Sequence, residues 1–122
     1  MTSTTYSFDD AIAFLLDAEN DNIVVPAYVK GQPTQANENC IAIYVAASVD
    51  CAVDLIISNA PHQPSRLVKI FDGNIYSPHN RLSVVNSNFE ILVSHKANNQ
   101  QKLVIWADTE ISPTEIFVQL CN

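Results

Sequence analysis

Apolar positions concentrate in one stretch, residues 40–58 (CIAIYVAASVDCAVDLIIS), and thin into short runs on either side of it. Two segments rich in β-branched residues, 40–47 and 51–58, flank Ser48-Val49-Asp50, a pattern that predicts two adjacent core strands joined by a turn. Ala42, Ala46, Ala47 and Ala52 would suit a buried helix, but Ile41, Ile43, Val45, Val49, Val53, Ile56 and Ile57 would lose χ1 freedom there. Asp50 and Asp54 argue against a membrane span, because a charge at mid-bilayer costs about 3 kcal/mol even on a lenient scale.

Upstream, the Thr- and Ser-rich residues 1–6 predict a flexible arm. Ser7-Phe8-Asp9-Asp10 resembles a helix-capping sequence, and Phe8, Ala11, Ile12, Leu15 and Leu16 recur at helical spacing with Asp9, Asp10, Ala13 and Asp17 outward. Together they predict one short amphipathic α-helix over residues 8–18. Residues 23–30 predict a strand that Pro26 confines to an edge or a bulge, and residues 31–39 a loop.

Downstream, residues 66–71 and 74–77 flank Asp72-Gly73, a dipeptide suited to a tight hairpin. Strands follow at 81–85, 89–95, 102–108 and 115–121. The last is apolar enough that it must lie inside a sheet or at an edge covered by another subunit. Strands and turns alternating roughly every 8–12 residues predict a mainly β fold: an antiparallel β-sandwich or jelly-roll-like barrel of about eight strands with one short N-terminal helix. The domain would span 7–122 behind the arm at 1–6. With only two glycines, the positive-φ turn positions are expected to fall on the many asparagines.

At 122 residues one domain is expected, burying roughly two-thirds of its extended surface. Lys and Arg number six against thirteen Asp and Glu, a net charge of −7, and the basic residues are scattered from Lys30 to Lys102 without a patch. Direct binding to nucleic acid or membrane is therefore not expected, while a cationic protein partner is compatible with the field. The N-terminus has neither a basic n-region nor an apolar h-region, so cytoplasmic residence is the default. Cys40, Cys51 and Cys121, odd in number and set in apolar runs, predict reduced, buried thiols; the alternative is a Cys40–Cys51 bridge between adjacent strands.

The chain offers little catalytic chemistry. His62, His79 and His95 could meet at one rim of a meander, but no two stand at the short spacing of a zinc site, and solvated loop histidines are the simpler reading. The cysteines lie on apolar strands that disfavour a thiolate. Asp50 and Asp54, at i and i+4 on a strand, would sit about 13 Å apart, too far to act on one bond. Neither glycine belongs to a phosphate-binding loop. Trp106, Tyr28, Tyr44 and Tyr76 could form a stacking platform or pack inside.

No catalytic residue, cofactor site or metal site is thus assigned, and no enzyme is expected. The leading expectation is a structural or interaction protein acting by self-association as a homo-oligomer or by docking on a larger assembly, such as a viral capsid-decorating or fibre-type subunit of a virion. The alternatives are a module binding carbohydrate or metal, and a small acidic inhibitor or immunity-type protein.

Overall fold

The computed structural model describes residues 1–47, 49, 51–60 and 66–121. Among them are ten strands and no helix. One open five-stranded sheet comprises β1 (Thr2–Tyr6), β5 (Val53–Ser58), β10 (Glu115–Cys121), β9 (Gln100–Ala107) and β6 (Val68–Tyr76), in that spatial order. The other runs β3 (Thr34–Ala36), β4 (Cys40–Tyr44), β2 (Ile12–Leu16), β7 (Arg81–Val85) and β8 (Ile91–Lys96). The mainly β expectation holds; the barrel does not, since both sheets stay open. Neighbours pair antiparallel except β5 and β10, which run parallel.

The two sheets share one core. Leu15, Ile41, Ile43, Leu82 and Val84 from one meet Val53, Leu55, Ile57, Leu103, Ile105, Ile116 and Val118 from the other. Each such side chain removed from water contributes about 1.5–3 kcal/mol. The edges are tied across the sandwich: Thr2 Oγ1 donates to the Ser94 carbonyl at 2.9 Å, and Thr34 Oγ1 to the Ile70 carbonyl at 3.3 Å.

The predicted N-terminal helix is absent, and its place is taken by the corner after β1, by β2 and by the start of the connection that follows. Ala13 and Leu15 of β2 enter the shared core. Phe14 and Leu16 point the other way, joining Cys40, Ala42 and Val85 beneath Ile23. A strand buried on both faces shows no alternation, and its unbroken apolar run mimics a helical stripe. Ala13 and Asp17, outward in the helix reading, are fully buried. The residues expected as a flexible arm form β1, laid against β5.

The two apolar runs are strands, as expected, but not paired neighbours. β4 and β5 belong to different sheets and face each other through the core. Of the expected turn between them, Ser48 and Asp50 lie outside the described residues. Residues 23–30 join no ladder; they cross the outer face of β2 and β4, with Ile23 packed down and Val24, Tyr28 and Val29 exposed. Part of the expected loop 31–39 instead pairs as β3.

The Asp72-Gly73 hairpin is also absent. β6 runs through this dipeptide with Asp72 opposite Val104 and Gly73 opposite Leu103. The ladder to β9 outweighs the local turn signal. The missing Cβ of Gly73 makes room for Phe71, whose Cζ would stand 3.0 Å from it. Asparagine works differently from the expectation too. Among the described non-glycine residues positive φ occurs at Ala11, Asn80, Phe89 and Ser112, of which one is Asn. Some of the others cap turns with their side chains: Asn37 Oδ1 accepts from the N–H groups of Asn39 and Cys40, and Asn86 Oδ1 from those of Asn88 and Glu90.

Candidate functional site

The strand directions place the loops β1–β2, β4–β5, β7–β8 and β9–β10 at one end of the sandwich. Asp9, Asp10, Glu90 and Glu110 ride on these loops and are exposed, as are Val49, Phe89 and Ile111. Arg66, near the same end, is spent on Glu115 at 2.7 Å, which raises its pKa. This end therefore combines surplus carboxylate with apolar tips, a composition suited to protein contact.

Within it lies a groove of about 600 Å³, walled by Asp10, Ala11, Tyr28, Tyr44, Glu110 and Ile111. Each wall is fixed by backbone bonds. Val45 N–H donates to the Ala11 carbonyl, Tyr44 N–H to Pro33 and Ala46 N–H to Pro113, at 3.0–3.1 Å. Gly31, at φ 88°, supplies the turn that Gln32 N–H closes on the Val29 carbonyl. The rings of Tyr28 and Tyr44 meet edge to face, centroids 5.2 Å apart at 89°. Burial, followed by the neighbouring Tyr28 phenol, pushes the Tyr44 hydroxyl pKa up, so it remains a neutral donor.

The carboxylates are set by their own loops. Ser87 Oγ donates to Asp10 Oδ2, tying β1–β2 to β7–β8. Glu110 and Ile111 sit in a turn closed by the Ile111 N–H to Thr109 Oγ1 at 3.0 Å and by that hydroxyl to the Ile111 carbonyl at 2.8 Å. Below it, Asp108 accepts from the Thr114 hydroxyl and from the N–H groups of Thr114 and Glu115. Burial alone would raise the Asp108 pKa; these donors overcome it and hold the carboxyl below its usual value.

The remaining sequence candidates disperse. His62 lies outside the described residues. His79 stands at the opposite end, where its ring and the carboxylates of Asp17 and Glu19 lie within 4.8 Å of one another. There the buried Asp17 accepts from the backbone of Glu19 and His79 and from Ser77 Oγ, so its oxygens already pin a corner. His95 Nδ1 pairs with the Lys96 carbonyl at 2.7 Å. Asp50 is outside the described residues, while Asp54 faces outward and accepts from Thr5. Cys40 is buried, with its thiol pKa pushed to about 12 by desolvation. All three thiols are free, and Cys51, expected inside, is exposed on the connection into β5. Trp106 is buried and donates to Gln119 at 3.0 Å, so of the expected aromatic platform only Tyr28 and Tyr44 come together at the groove. The sequence reading missed Asp10, taken for a helix cap, and Glu110-Ile111; a bare Ile beside Glu in a polar connection was the available signal.

No protein-family model and no curated protein matches the chain. Among solved structures it is similar in fold to ComJ from Bacillus subtilis, described as the inhibitor of the DNA degrading activity of NucA. The likeness covers 100% of this chain and 96% of that one at a TM-score of 0.74, with 9% sequence identity. It overturns the expectation of a capsid-decorating or fibre-type virion subunit, whose structural motives also fail. The apolar β10 is paired on both sides inside its own sheet, and the supposed arm is a strand.

Proposed function

We propose that this protein is a small, non-enzymatic inhibitor that works by docking its acidic loop end on a cationic site of a protein partner, a DNA-degrading nuclease being the class to test first. The observation that carries the reading is the surplus of exposed carboxylates on loops that share one end of a fold seen whole in a nuclease inhibitor. A nuclease must attract phosphate and so presents positive charge around its active site. An acidic surface is drawn to the same field and competes for it. The protein partner expected from sequence keeps its place here, with self-association no longer required.

The test is a titration of purified DNA-degrading nucleases, NucA among them, against this protein with supercoiled plasmid as substrate. The reading expects one enzyme to be silenced at one inhibitor per active site, with inhibition loosening as salt rises. Undiminished cleavage across the panel, and by nuclease activity eluted from the immobilised protein after passage of its own cells' lysate, would overturn it.

A further inference from the structure

Building on the inhibitor reading, we infer that the groove between Tyr28-Tyr44 and Glu110-Ile111 receives an arginine side chain from a basic loop of the partner. The chemistry of the walls selects this occupant. Asp10 and Glu110 supply carboxylates on two different loops, and the tyrosine pair supplies ring surface between them. A planar guanidinium can donate to carboxylates while stacking on an aromatic ring, which the compact, strongly hydrated ammonium of lysine does less well. Tyr28 is 67% exposed and Ile111 82%, so ring and apolar tip are open to an incoming chain.

The backbone supports the same assignment. Ala11 and Ser112, both lining the groove, hold φ values of 56° and 50°, a conformation that non-glycine residues seldom adopt. Strain of this kind collects where a binding geometry is held in place. Here it sits next to both the carboxylate of Asp10 and the exposed tip of Ile111. Lys30, exposed and next in sequence to the groove-lining Gly31, is a cation that an incoming arginine would oppose.

Blocked peptides of the form Gly-Arg-Arg-Gly, Gly-Lys-Lys-Gly and Gly-Gln-Gln-Gly, titrated into the 15N-labelled protein and followed by NMR, test the groove directly. Expected are shifts confined to residues 10–12, 28–33, 44–45 and 110–112, strongest for the arginine peptide and absent for glutamine. Glu110→Gln should weaken that binding about tenfold, and Lys30→Glu, which leaves the groove walls in place, should tighten it. Shifts centred on the opposite end around Glu19 and Glu38, equal response to the glutamine peptide, or indifference to both substitutions would overturn the inference. The two readings fail separately. Arginine-specific shifts in the groove with every nuclease still active overturn the inhibitor and keep the groove; inhibition that survives Glu110→Gln and Tyr28→Ala overturns the groove and keeps the inhibitor.

Discussion

Replacing Asp17 by Asn separates the strand from the helix at the N-terminus, because a helix over residues 8–18 would leave this side chain in water. In the structure it is 1% exposed. Its Oδ1 accepts from Glu19 N–H at 3.0 Å, and its Oδ2 accepts from His79 N–H at 2.7 Å and Ser77 Oγ at 3.2 Å. Asparagine keeps the shape but offers one carbonyl oxygen, so the amide must turn an NH2 toward N–H donors on one side or the other. Hydrogen bonds to a charged acceptor are worth about 1.5–3 kcal/mol each, and a stranded buried donor costs about 1–3 kcal/mol. Ser77 retains its bonds with Arg81, which limits the damage to roughly one backbone donor and one charge-assisted bond. The expected loss is about 2–4 kcal/mol, a large share of the about 5–15 kcal/mol usual for a domain. Urea unfolding followed by the fluorescence of the single Trp106 reads it: at a slope of about 1.5 kcal/mol/M the midpoint falls by about 1.3–2.7 M. A midpoint shift equivalent to less than about 0.5 kcal/mol, the ordinary range for a surface site, would refute the burial and with it the strand.

Three further outcomes follow from the same geometry. Because the Asp108 pKa is depressed in the folded protein, its stabilising effect is present above the unfolded carboxyl pKa and is lost as pH falls through the folded value; thermal melts from pH 6 to pH 2 should show Thr114→Val flattening that acid-side decline. Asn86→Ala removes the acceptor for two turn N–H groups and the donor to Tyr6 Oη and Glu90, and should cost about 2–3 kcal/mol by urea unfolding. A thiol reagent at pH 8 should modify Cys51 at once and reach Cys40 only on denaturation, since Cys40 is buried with a pKa of about 12; prompt labelling of Cys40 in the native protein would contradict its place in β4.

The sequence was most legible where one face of a strand met water. β10 at 115–121 has the boundaries its alternation predicts, because fully buried and half-buried positions there sort cleanly. It misled where burial is two-sided. Ile12-Ala13-Phe14-Leu15-Leu16 feeds two cores at once, so the information lay in what covers the sheet's outer face, a segment supplied from residues 23–30. Asp72-Gly73 misled because a long-range ladder overruled a local preference, and the asparagines because a side-chain cap closes a turn without positive φ. The groove could not be read at all. Tyr28, Tyr44 and Glu110 are far apart along the chain, and only the crossing of residues 17–33 and the shared end of the loops bring them together.

The central claim is that the acidic loop end makes first contact with a cationic partner, and the association rate measures this most directly. Stopped-flow mixing with whichever nuclease the plasmid titration finds silenced, at increasing salt, compares wild type with Asp9→Asn/Glu110→Gln and with Glu19→Gln/Glu38→Gln at the opposite end. The rate constant should fall steeply with salt for wild type, drop severalfold when the loop end is neutralised, and stay unchanged for the other pair. Equal rates for the two neutralised variants, or a rate indifferent to salt, would contradict it.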